Sequence, residues 1–141
     1  MGMTAPTHIT LSATQAATLC AAARAAHPHE SCGLLVGEGE GPLTITDIVA
    51  TANVADDPSS AFAVDPQAQF DLLRSLRGSN RRVIGHYHSH SRGPAQPSPR
   101  DLAMAHDPQA LWLLVAGEEL RAFRRPAEAH SFVEVPVMVL S

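Results

Sequence analysis

Three of the chain's eight histidines fall within five residues, in Gly85-His86-Tyr87-His88-Ser89-His90. Side chains on a strand alternate faces, so His88 and His90 can converge on one metal ion. His86 shares that face if the strand stays regular. Imidazole is a borderline ligand that suits zinc. Two histidines at this spacing also arise on ordinary surface strands, so the pair calls for a third ligand. Asp101, eleven residues beyond His90, is the candidate. In Ser98-Pro99-Arg100-Asp101 the same aspartate reads equally as a helix start. Ser98 is an N-cap, Pro99 suits the first helical position, and Asp101 is a capping-box partner at the positive helix end. The two readings are compatible, because an aspartate held there stays ionised, as a ligand must. Two histidines and a carboxylate leave one position open for water, the arrangement of catalytic zinc sites.

The pattern of the whole chain predicts the elements that must hold these residues. Ile9 to Leu11 reads as a short strand. Ser12 with Gln15 forms a capping box that opens an Ala-rich helix to Ala26, and His27-Pro28 stops it. Cys32 to Gly37 is a continuous apolar run, the mark of a buried strand. A turn over Gly39 to Pro42 leads to an alternating strand, Leu43 to Val49. Ala52 to Ser60 is a polar loop. Asp65-Pro66 starts a helix expected to run to Gly78. Arg81 to Tyr87 is a strand, Ser91 to Pro97 a loop, and Ser98-Pro99 opens a short helix that ends before Asp107-Pro108. Strands follow at Leu111 to Ala116, Leu120 to Arg124 and Phe132 to Val139, the first two joined by a turn at Gly117. Several strands with about three helices predict an α+β-like, mixed-sheet α/β fold in one domain over 1–141.

Composition narrows the functions available. An apolar fraction of 45% and a charged fraction of 17% are those of a globular chain. A net charge of −4 gives no basic footprint for nucleic acid or anionic membrane. No apolar run is long enough to span a bilayer. Met1 to Thr10 lacks the basic start and apolar core of a signal peptide, so a cytoplasmic location is expected. Two cysteines, Cys20 and Cys32, do not make a disulfide framework. Both read as reduced, small buried side chains, with a ligand or redox role for Cys32 as the alternative.

The histidine strand and the helix start together resemble a known motif. His88-Ser89-His90, seven residues, then Ser98-Pro99-Arg100-Asp101 is similar to the JAMM motif of the MPN-type zinc metalloproteases. That motif reads His-Ser/Thr-His-Pro, a spacer, then Ser-x-x-Asp, with a glutamate far upstream. Gly85 and Tyr87 resemble its lead-in. Glu30, in Glu30-Ser31-Cys32-Gly33-Leu34-Leu35-Val36-Gly37, resembles the upstream Glu-x-x-Gly-Leu-Leu-x-Gly segment. Asn53 through Phe62 and Phe132 to Pro136 are similar to the short bacterial, Mec-type members. Ser91 departs from the pattern, standing where the family has proline.

The resemblance implies a mixed curved sheet flanked by about three helices, with zinc on His88, His90 and Asp101 and water as fourth ligand. It implies that Glu30 exchanges protons with the water and the leaving amine, and that Ser98 donates to the oxyanion. The implied partner is a ubiquitin-like or sulfur-carrier protein, cleaved at an amide or isopeptide bond at its C-terminus. A non-catalytic MPN-type scaffold is the alternative, and a purely structural zinc site a third reading. His86 reads as a group supporting the ligands or as a buried histidine. His27 and His29, with Pro28 between them in a loop, read as surface residues.

Overall fold

A computed structural model describes residues 5–141, so the reading of Met1 to Thr10 lies partly outside it. The elements in chain order are β1 (His8–Ser12), α1 (Ala13–Ala26), β2 (Cys32–Glu38), β3 (Pro42–Thr51), α2 (Pro66–Ser75), β4 (Arg82–Ser89), α3 (Pro99–Met104), β5 (Leu111–Ala116), β6 (Glu119–Arg124), β7 (Val133–Val135) and β8 (Val137–Leu140). The strands form one eight-stranded sheet in the order β7-β6-β5-β4-β2-β3-β1-β8. β1 runs parallel to β3 and β8, and β4 parallel to β5; the other pairs are antiparallel. The sheet is therefore mixed, as expected, and it curls until β6 approaches β8.

Its two faces carry separate cores. α1 packs against β1, β5 and β8. Beneath it Ile9, Leu11, Leu19, Leu35, Tyr87, Leu113 and Val115 are buried together. The opposite face buries Ala95, Ala105, Trp112, Leu114 and Phe123, with Phe62 and Phe132 against them. β5 is buried from Leu111 to Val115 because both of its faces are covered, which explains its unbroken apolar run. Alternation assigns Tyr87 to the α1 core and the neighbours His86 and His88 to the other face.

α1 begins as its sequence predicts: Ser12 Oγ accepts from the Gln15 N–H, and the Gln15 side chain accepts from the Ser12 N–H. Two expectations are corrected. α2 stops at Ser75 rather than Gly78; Leu76 caps it, and the chain turns through Gly78 at φ +77°. Phe132 to Val139 is not one strand. Pro136 has no N–H to continue a ladder. It divides β7, which pairs with β6, from β8, which pairs with β1 at the opposite end of the sheet. The Pro136 carbonyl accepts from Ile9 N–H at 2.9 Å at this crossing. Among the described residues, no helix is long and apolar enough to cross a membrane.

Candidate metal centre

β4 carries the histidines. It extends two residues further than its pattern predicts, to Ser89, and the His90 N–H still reaches the Val115 carbonyl of β5 at 2.9 Å. His88 and His90 therefore remain on one face. Midway along β4, where its pairing with β5 begins, Gly85 lies so close to β5 that a Cβ there would stand 2.0 Å from the Leu111 carbonyl oxygen. Only glycine permits this approach, and the tight β4–β5 pairing that follows holds His88 opposite Leu114.

α3 delivers Asp101. Ser98 Oγ accepts from the Asp101 N–H at 3.0 Å, and Asp101 Oδ2 accepts from the Ser98 N–H at 2.9 Å. The capping box is formed, and it aims the carboxylate at the histidines. Asp101 Oδ1 lies 3.3 Å from His88 Nε2, and Oδ2 lies 3.4 Å from His90 Nε2. The two Nε2 atoms are 3.1 Å apart. Donors that share a tetrahedral ion at about 2.0–2.1 Å stand about 3.3–3.4 Å from one another. The three side chains thus form a cluster of the size and donor chemistry that fits a metal ion.

Electrostatics agree with that geometry. Burial alone would raise the Asp101 pKa, but hydrogen bonding to His88 and His90 outweighs it and holds the carboxyl far below the usual range. Burial lowers the pKa of His88, against the pull of Asp101, so its ring favours the neutral form a ligand needs. The hydrogen bond to Asp101 raises the pKa of His90 in the metal-free chain. His90 Nδ1 lies 3.2 Å from the Pro94 carbonyl, which orients the ring with Nε2 toward the cluster.

Glu30 precedes β2, whose register against β4 sets Cys32 opposite His88. The Ser89 N–H donates to the Ser31 carbonyl at 2.9 Å, and the Ser31 N–H donates to Ser89 Oγ at 2.8 Å. One residue before Ser31, Glu30 lies near enough to His90 and Asp101 for their charges to act on its carboxyl. Glu30 is 8% exposed. Burial pushes its pKa up to about 7, with His90 opposing and Asp101 adding to the rise. A carboxyl of this kind can hold or release a proton at neutral pH.

His86, His27, His29 and the two cysteines lie outside the cluster. His86 stays outside the cluster, against Trp112 at 4.3 Å and Phe62 at 5.3 Å, and burial lowers its pKa to about 3. His27 and His29 are exposed. Cys32 is buried, its thiol facing Thr51 and Ala52, and burial raises its pKa. Cys20 lies in the α1 core. Ser91, in the family's proline position, donates to the Ser59 carbonyl at 3.4 Å and ties the loop exit to a neighbouring loop.

Two residues at the site received no role from their types and spacing. Phe62 stacks on His88, ring centroids 4.1 Å apart and 12° from parallel. The Asn53 amide donates to the carbonyls of Glu30 at 2.9 Å and Ala61 at 3.0 Å, and accepts from the N–H groups of Ala55 and Ala63. The available signal was a lone aromatic and a lone amide in a polar loop, and neither pattern specifies a partner.

A mixed curved sheet with an ion-sized His-His-Asp cluster at the end of a central strand defines a class. The family model for prokaryotic homologs of the JAB domain matches residues 12–126, and the chain belongs to that family. The chain is 32% identical over 99 residues to the probable TtuB-protein conjugate cleaving protease of Thermus thermophilus, across 70% of this chain and 64% of that protein. It is 31% identical over 111 residues to the CysO-cysteine peptidase of Mycobacterium tuberculosis, across 75% of each. The match thus spans less than two thirds of the Thermus protein. The fold of this chain is similar to that of the JAB1/MPN domain protein AF2198 of Archaeoglobus fulgidus, with a TM-score of 0.60 at 19% identity over 94% of this chain and 97% of that one.

Proposed function

We propose that the chain, as a single domain over 1–141, is a zinc-dependent metallopeptidase. It hydrolyses an amide or isopeptide bond at the C-terminus of a ubiquitin-like or sulfur-carrier protein. The observation that carries this reading is a buried carboxyl, Glu30, with a pKa near 7 beside an ion-sized His-His-Asp cluster. A structural zinc site has four protein ligands and no use for such a group. The names of the Thermus and Mycobacterium relatives support the substrate class.

His88, His90 and Asp101 would hold the zinc. Zinc supplies Lewis acidity, which makes water acidic near neutral pH and polarises a carbonyl. The Glu30 carboxylate takes a proton from the attacking water and returns it to the leaving amine, for which a pKa near the working pH is the best compromise. Ser98 Oγ accepts from Asp101, which leaves its own O–H free to donate to the oxyanion. Loss of one such donor typically costs about 10²–10³ in kcat. Ser98→Ala should therefore keep its zinc and lose turnover on that scale; an unaltered rate reduces Ser98 to a helix cap.

The test is incubation of the zinc-loaded protein with sulfur-carrier adducts, following release by mass. Cleavage that a chelator abolishes and zinc restores is the expected result. Zinc-loaded protein that cleaves none of them would remove the peptidase reading and favour a scaffold.

A further inference from the structure

A histidine that binds a metal through one ring nitrogen almost always donates its other N–H to a carbonyl, carboxylate or water, and that bond fixes the ring plane. His90 follows this rule through Pro94. His88 does not. Its Nδ1 is buried and meets no hydrogen-bond partner among the described residues. Yet His88 is the most enclosed residue of the cluster, at 0% exposure. No protein hydrogen bond fixes its plane, so the side chains packed against the ring bear on it directly.

The residue in position to do so is Phe62. Its ring lies nearly flat on the imidazole, and Trp112 meets both rings edge-on, 5.9 Å from Phe62 and 5.8 Å from His88. A stacked neighbour opposes tilting of the imidazole, because tilting would drive one ring edge into the other face. Phe62 is itself pinned. Asn53 holds the carbonyl of the residue before it and the N–H of the residue after it, each at 3.0 Å. The Val54 N–H donates to the Ala63 carbonyl at 2.9 Å, closing a two-residue bridge around the same segment. The Asn53 amide also holds the Glu30 carbonyl, and the Glu30 N–H donates to the Pro58 carbonyl at 2.7 Å.

We infer that Phe62 is a positioning residue, held by Asn53, that fixes the plane of the His88 imidazole for metal binding by stacking on it. The inference rests on the metal reading above and not on any substrate. The loop from Ala52 to Val64 then sets both ends of the site, His88 through the Phe62 ring and Glu30 through its backbone.

The experiment measures zinc affinity by competition with a chromophoric chelator, and the visible absorption of the cobalt(II) form as a report of ligand geometry. It compares the wild-type chain with Phe62→Leu, Phe62→Tyr and Asn53→Ala. Phe62→Leu keeps an apolar side chain but removes the flat ring. It should lose about 10–100-fold in zinc affinity, the usual scale for groups that orient metal ligands, and alter the cobalt spectrum. Phe62→Tyr keeps the ring and should retain both. Asn53→Ala leaves the ring but frees its backbone, and should fall between them. Wild-type affinity in Phe62→Leu overturns the inference, as does an equal loss in Phe62→Tyr. Should Phe62→Leu fail to fold, Asn53→Ala decides, and unchanged affinity there overturns it. A wild-type chain that takes up no zinc overturns the metal reading and this inference together. Zinc uptake without cleavage of any adduct removes only the peptidase reading.

Discussion

At the scale of single residues, Glu30 carries the sharpest consequences. Its carboxyl must be ionised to accept a proton, so cleavage should fall as pH drops through about 7. A bound cation draws that value down, so the acidic limb of the loaded enzyme lies at or below 7. Glu30→Gln should retain zinc and lose hydrolysis; activity that survives the change removes Glu30 from the reaction. The same shift affects stability. The folded pKa of about 7 lies above the ordinary 4.5. Below about 4.5 the group is neutral in both states and costs nothing. Between 4.5 and 7 the unfolded chain ionises while the folded chain keeps its proton, so stability falls as pH rises. The metal-free Glu30→Gln chain escapes this loss. Its urea midpoint should match wild type near pH 4.5 and exceed it at pH 8; equal midpoints at both would mean that Glu30 is not buried as described.

At the scale of elements, the site depends on how β4 sits between β2 and β5. Gly85 and Gly33 allow this. A Cβ at Gly85 would meet the Leu111 carbonyl at 2.0 Å, and one at Gly33 would meet the Tyr87 ring at 2.5 Å. Gly85→Ala must push β4 off β5 or distort both. Overpacking in a filled core typically costs about 1–3 kcal/mol. Because the displaced strand carries His88, zinc affinity should fall along with the unfolding midpoint. A variant with wild-type stability and affinity would show that the β4–β5 approach is looser than described. α3 contributes differently. It is short, and its capping box does two jobs, satisfying the N–H groups of Ser98 and Asp101 and aiming the Asp101 carboxylate.

At the scale of the whole molecule, the proposed metal ligands His88, His90 and Asp101 would link parts of the chain that the sheet alone leaves independent. β4 and α3 share the cluster, Phe62 of the Ala52 to Val64 loop stacks on His88, and Asn53 of the same loop bonds the Glu30 carbonyl. A ligand that binds only the folded chain stabilises it by mass action, by about 2.7 kcal/mol at 100 times its Kd. For a chain of 141 residues that corresponds to a rise in Tm of about 5–11 °C. Calorimetry with zinc and with a chelator checks it, and an unchanged Tm would show that no ion joins these elements.

The sequence by itself determined the local chemistry. Strand alternation set His88 and His90 on one face, and the capping box at Ser98 announced both a helix start and an oriented Asp101. These are short-range rules, written in residues two or three apart. It also announced most of the elements, with errors where local signals conflict: the proline-split strand at Pro136, and the end of α2. Tertiary structure alone decided the rest. Glu30 lies near His90 only because β2 pairs antiparallel with β4, and its raised pKa comes from burial, which no local pattern encodes. Phe62 reaches His88 from a polar loop because Asn53 bonds the backbone on either side of it. Such contacts depend on register and on which face is covered, and those follow from the packing of the whole sheet.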